Sequence, residues 1–162
     1  MKRYLLTFLM VLLAIPFAKA QISFNSPLAG QQNDNPVEWT FSQEKLSDTE
    51  YLLIFKGKIA PKWHVYSQNN PKGGALPMVI TYTTTEGIEI VGESQEEGLQ
   101  KTFNDVFGVD ELFFEKEIKI TQKVKITDPN VKHIKGNIFC QACILKYLNA
   151  THYFNDDADV SY

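Results

Sequence analysis

The sequence predicts an all-β fold, an immunoglobulin-like antiparallel β-sandwich, on three observations. Seven or eight short runs rich in β-branched and aromatic residues follow one another, separated by Gly, Pro, Asn and Asp. No amphipathic helical period of any length precedes residue 140. The 162 residues, less an apolar N-terminal segment, amount to one domain.

That segment comes first. Met1, Lys2 and Arg3 give a positive start, residues 4–17 are largely apolar, and Ala18-Lys19-Ala20 matches an Ala-x-Ala cleavage site. This is the pattern of a secretory signal peptide cut after Ala20. The run is shorter than the roughly 20 residues that span a bilayer. An uncleaved anchor is the alternative. No cysteine follows the cleavage site, so a lipoprotein-type anchor is not expected. Cleavage removes Lys2, Arg3 and Lys19 and no acid, leaving 142 residues with 13 bases, 19 acids and net charge −6. That sign argues against a nucleic-acid surface. The expected organisation is a signal peptide over 1–20, a loose leader over 21–35, a sandwich over 36–155 and a polar tail over 156–162. The mature chain is expected in the periplasm or outside the cell, without stable membrane insertion.

Residues 37–42 alternate, with Val37, Trp39 and Phe41 on one face, as in a half-buried strand. Ser47-Asp48 is a turn, and the more apolar residues 51–59 form a more central strand. Pro61-Lys62 ends it, and residues 63–68 form the next. Residues 69–74, with two Asn, a Pro and two Gly, are a loop. Residues 78–84 are β-branched and aromatic, hence a strand, and residues 88–91 return after the Glu86-Gly87 turn. The polar, acidic residues 93–101 are expected as a solvated loop. Residues 112–126 alternate for a long distance, but Phe114, Lys116, Ile118, Ile120 and Gln122 do not share character. The strand is therefore expected to bend or bulge near Glu115 and Lys116. After the turn at residues 128–130 comes the strand holding the cysteines, then a last strand over 150–154. Trp39 and Trp63 are assigned to the core.

The chain has two cysteines, Cys140 and Cys143, inside the apolar run 135–143. Two cysteines do not staple a domain of this size, so they are free for chemistry. In an oxidising compartment a thiol pairs, binds metal or exchanges. Zinc with His133 and His152 is not expected, because the spacings match no familiar zinc pattern. No cofactor is expected. A buried cysteine that simply packs is the plain alternative for each.

Three stretches occur in order: 63–68 (Trp-His-Val-Tyr-Ser-Gln), 105–108 (Asp-Val-Phe-Gly) and 139–143 (Phe-Cys-Gln-Ala-Cys). With these the chain resembles the N-terminal periplasmic domain of the thiol–disulfide interchange protein DsbD, over roughly residues 36–154. The resemblance implies an immunoglobulin-like sandwich that relays reducing equivalents to periplasmic proteins. Its partners would be thioredoxin-fold redox proteins or a membrane electron-transfer domain. Gln141-Ala142-Cys143 falls on the family's first cysteine, and Cys140 falls where an aromatic residue is usual. The family's second cysteine belongs near Leu148 or Asn149, and its Pro turn follows; this chain has neither there. A partner-binding sandwich of the same descent, without dithiol chemistry, is the second expectation.

The resemblance makes Cys143, with Cys140, the candidate redox residues. In an extended strand, residues three apart lie about 10 Å apart on opposite faces, whereas a disulfide needs Cα atoms within about 7 Å. A turn at Gln141-Ala142 would let the two pair; an extended strand, the course the resemblance favours, would not. A thioredoxin-like Cys-x-x-Cys helix is disfavoured, since that motif stands early in its fold and 19 residues follow Cys143 here. The family's covering loop maps onto Asn104, Asp105, Val106, Phe107 and Gly108, with Val106 and Phe107 as lid side chains and Gly108 as hinge. His64 and Tyr66, two apart on one strand face, map onto aromatic positions flanking the redox pair.

Overall fold

The computed structural model describes residues 35–144 and 151–161, with backbone alone for 151–154. The expected signal peptide, nearly all of the leader and the Leu148–Asn149 position lie outside the described residues. Ten strands occupy the described chain: β1 Val37–Lys45, β2 Glu50–Ile59, β3 Trp63–Tyr66, β4 Val79–Tyr82, β5 Ile88–Glu97, β6 Gln100–Asn104, β7 Val109–Glu115, β8 Glu117–Ile126, β9 His133–Ile144 and β10 Thr151–Ser161. One sheet has the order β1-β2-β8-β5; the other is β10-β9-β3-β7-β6, with β4 also pairing β9. Every pairing is antiparallel. The expected all-β sandwich is the fold observed.

Alternation builds the core. Leu53 and Phe55 of β2 and Ile118, Ile120 and Val124 of β8 face Val65, Phe114, Ile138, Cys140 and Ala142 of the second sheet. Each strand presents every second residue to this layer, as the period of two requires. Trp39 and Trp63 are half-buried and pack against it.

The long run of residues 109–126 changes sheets at Lys116. This residue has φ 69°, a left-handed backbone rare for a residue with a Cβ, and β7 ends and β8 begins on either side of it. The Lys116 carbonyl accepts the Ile59 amide at 2.7 Å, which anchors the kink to the end of β2. The broken alternation in the sequence marks this switch.

Gln122, out of pattern among apolar neighbours, is buried for a reason. Its amide nitrogen lies 2.9–3.3 Å from the carbonyls of Val91, Gly92 and Lys123. Those groups surround the register shift between Val91 and Gln95, where the β5–β8 ladder is interrupted. The side chain supplies a donor to backbone carbonyls at the edge of the bulge.

Two expectations require correction. Residues 93–101, expected as a solvated loop, are the end of β5, a turn and the start of β6. Both are edge strands, so their side chains meet water on most sides and carry no apolar period. Residues 156–161, expected as part of a polar tail, lie inside β10, which pairs with β9 from Thr151 to Ser161. Ala158 and Val160 are buried, and the intervening acids mask the alternation.

Beyond the bulge, Glu96 ties the first sheet to the segment leaving β3. Its carboxylate accepts Ser67 Oγ at 2.6 Å, the Gln68 amide at 2.9 Å and Asn69 Nδ2 at 3.1 Å. This fixes where the long β3–β4 connection begins. Glu96→Ala should lower the unfolding free energy by about 2 kcal/mol, since a charged acceptor for several partners is lost. Urea unfolding measures it; a change within experimental error would show that the segment holds without Glu96.

Candidate functional site

β9 runs extended through both cysteines, so the two point to opposite faces. Cys140 lies on the inner face, 0% exposed, within the main core. Burial pushes its thiol well above the usual range, and nearby Asp156 adds to this. Cys143 lies on the outer face, partly exposed. Strand geometry separates residues three apart by about 10 Å, beyond the reach of a disulfide. Accordingly the two cysteines are not bonded to each other.

The outer face around Cys143 is set by register. Cys143 pairs with His64 of β3, which pairs with Glu115 of β7. One row along, Tyr66 pairs with Phe113. His64 and Tyr66 are two apart on one strand and therefore share the face. His64 Nε2 lies 3.0 Å from the Tyr66 hydroxyl, and the rings meet edge to face at 5.0 Å. His64 also stands 5.2 Å from the Phe113 ring. Tyr66 and Cys143 share this face, with Cys143 packed against the Tyr66 cluster. The tautomer of His64 sets which of the two groups donates in the His64–Tyr66 bond.

Burial holds His64 below its usual pKa, with Glu111 and Glu115 partly offsetting it. Its Nδ1 is buried and has no hydrogen-bond partner among the described residues. Both facts favour a neutral ring. Burial raises Tyr66 well above the usual phenol range, and Cys143 and Glu111 raise it further.

Further residues, which sequence reasoning did not single out for a role here, shape the site. Glu111, 3% exposed on β7, accepts the Ala75 amide at 2.9 Å through Oε1 and Asn104 Nδ2 at 2.8 Å through Oε2. Gln141 of β9 accepts the Leu76 amide at 2.6 Å through Oε1. Residues 75–76 thereby cross the outer face from β7 to β9. Ala75 is buried with Tyr66 and Phe113, and Cys143 packs against this cluster.

The segment mapped as a lid forms the β6–β7 turn. Asn104 ends β6, residues 105–108 form the turn, and Val109 opens β7. Asn104 Oδ1 accepts the amides of Val106 at 3.0 Å and Phe107 at 3.3 Å, and Gly108 takes φ 68°. Val106 and Phe107 are 69% and 47% exposed. Val109 precedes Glu115, in the Cys143 row, by six residues, about 20 Å of extended strand. Residues 75–76 lie between the two.

Among the described residues, no group of three or more His, Cys, Asp or Glu could hold a metal ion. His133 lies 3.1 Å from Asp159 at the far end of β9. Among the described residues, no helix is long and apolar enough to cross a membrane.

A pH test follows from His64. Its folded pKa is lowered, so between the ordinary 6.5 and the folded value the unfolded chain binds the extra proton. Stability from this group is present above that window and lost as pH falls through it. Chemical unfolding at pH 7.5 and 5.5 should show a larger loss in the native protein than in His64→Gln. Equal losses would assign the pH dependence to other groups.

No protein-family model matches the chain, and no curated protein matches it in sequence. Solved structures do resemble it. The N-terminal periplasmic domain of ScsB from Proteus mirabilis matches with TM-score 0.53 and 16% identity, over 77% of this chain and 45% of that one. The reduced N-terminal domain of DsbD from Neisseria meningitidis matches with TM-score 0.47 and 13% identity, over 76% and 85%. The GAE domain of yeast GGA1 matches with TM-score 0.47 and 12% identity, over 77% and 91%. The chain spans less than half the length of the Proteus chain, and what it has in common with that domain is the fold.

Proposed function

We propose that this chain is an extracytoplasmic thiol–disulfide exchange domain acting through Cys143. The observation that carries the reading is the sulfur on an outer sheet face, packed against the Tyr66 cluster and directly opposite His64. The signal-peptide pattern at residues 1–20 and the fold likeness to a periplasmic domain support the compartment. The partner is a protein carrying an accessible disulfide, of the thioredoxin fold or within a membrane electron-transfer domain.

The step balances with one cysteine. The Cys143 thiolate attacks one sulfur of the partner's disulfide; a mixed disulfide forms, and the partner's other sulfur leaves as a thiolate and takes a proton. A thiol of a separate reduced dithiol protein then attacks the Cys143 sulfur and frees the partner as a dithiol, and that protein's second thiol closes its own disulfide and releases Cys143 as a thiol. Cys140 takes no part and packs in the core.

One observation favours a second reading, a partner-binding sandwich without redox turnover. Cys140 and Cys143 face opposite sides of β9 and supply no internal pair.

Thiol labelling of the native protein separates the two. On the exchange reading one thiol, Cys143, reacts under native conditions, and Cys140 reacts only after unfolding. Cys140→Ala should still form a mixed disulfide with an oxidised thioredoxin-fold protein, whereas Cys143→Ser should not. Two thiols inert until unfolding, with partner binding intact in Cys143→Ser, would favour the second reading.

A further inference from the structure

We infer that residues 73–76, in the β3–β4 connection, are the cover that controls access to Cys143 in this chain, and that Gln141 and Glu111 are the positioning residues that hold it closed. The inference rests on the exchange reading above and adds how a partner reaches the sulfur.

Position is the first argument. Residues 75–76 cross the outer sheet face one row from Cys143, and Ala75 is buried against Tyr66 and Phe113 beside the sulfur. They also stand between Cys143 and the β6–β7 turn, whose Val106 and Phe107 face solvent.

The second argument is how the segment is tied. The amides of Ala75 and Leu76 bond to side chains, Glu111 Oε1 and Gln141 Oε1, and not to a strand ladder. Asn70 Nδ2 donates to the Ala75 carbonyl at 2.8 Å. These bonds can open without breaking a sheet, because the acceptors stay on β7 and β9. Amide groups tied only by side chains belong to the low-stability end of local opening.

The third argument is the hinge. Gly73 takes φ +96°, and a Cβ on Gly74 would lie 2.9 Å from Glu111 Oε1 and 3.1 Å from Val109 Cγ2. The backbone therefore approaches Glu111 as closely as only glycine permits. Pro77, with its φ fixed by the ring, follows at the other end of the segment. The Leu76 side chain is 50% exposed and is the first apolar group an arriving partner meets on this segment.

Two measurements on the full chain test this, in the native protein, Gln141→Ala and Gly74→Ala. The first is hydrogen exchange at the Ala75 and Leu76 amides, with Val65 in the β3 ladder as the reference for global unfolding. The second is the rate at which Cys143 reacts with iodoacetamide and with a polymer-linked maleimide. Both variants should speed exchange at Ala75 and Leu76 but not at Val65. They should raise the maleimide rate about tenfold, the effect of one hydrogen bond on an opening equilibrium, and the iodoacetamide rate less. Unchanged exchange, or equal rates with both reagents in all three proteins, overturns the inference and leaves the exchange reading standing. Faster exchange at Ala75 and Leu76 with Cys143 inert to both reagents sinks the exchange reading, and with it the role of this segment as a gate. If Gln141→Ala fails to fold, Gly74→Ala carries the test, since it presses on Glu111 without removing a ladder bond.

Discussion

Backbone pairing along one flank from His133 to Cys143, and on the other at Gly136–Phe139 and Ala142–Ile144, holds β9 straight. β10 pairs with it from Ser161 to Thr151 on one flank; β4 and then β3 pair with it on the other. A turn at Gln141 and Ala142 would break ladder bonds on both flanks and expose Ala142, which is wholly buried. The cost of those unmade bonds outweighs what a strained local disulfide returns. From this constraint the rest of the site follows. One sulfur packs with Ile138 and Val65, and the other joins His64 and Tyr66 outside.

The β3–β4 connection poses a second accounting problem. It is a long excursion between short strands, and its backbone groups lie against a sheet face that offers no ladder. Side chains answer instead. Glu96 takes the Gln68 amide, Glu111 takes Ala75 and Gln141 takes Leu76. Asn70 receives the Leu112 amide on its oxygen and donates to the Ala75 carbonyl. Buried polar residues here are substitutes for a missing strand, which is why acids and amides occur at positions a strand pattern would fill with apolar groups. The same device gives Glu111 a double duty, because its other oxygen holds Asn104 at the base of the β6–β7 turn.

Period two made much of this legible in the sequence. It marked the central strands, and its failure near Lys116 marked the place where the chain changes sheets. It also put His64 and Tyr66 on one face and separated the two cysteines once the strand was taken as extended. The edge strands escaped, because β5 beyond Gly92 and β6 meet solvent on most sides and show no apolar alternation. β10 escaped because Asp156, Asp157 and Asp159 dominate its composition, although Ala158 and Val160 keep the inward beat. The ties over the site had no local signature at all. Ala75 meets an acceptor 36 residues away and Leu76 one 65 residues away, and such pairs exist only once the sheet has assembled.

The inward sulfur has a consequence for the birth of the molecule. Before the strands assemble, Cys140 and Cys143 sit three residues apart on a supple chain, where an oxidant can close them into a small ring. That ring cannot straighten into β9, so an oxidised newborn chain is locked out of its own sheet until a reductant opens it. Once assembled, the sheet makes the same accident impossible, because one sulfur is walled in and the other looks away. The hazard belongs to the hours of manufacture, and a reducing escort at that stage protects the fold as well as any chemistry at Cys143.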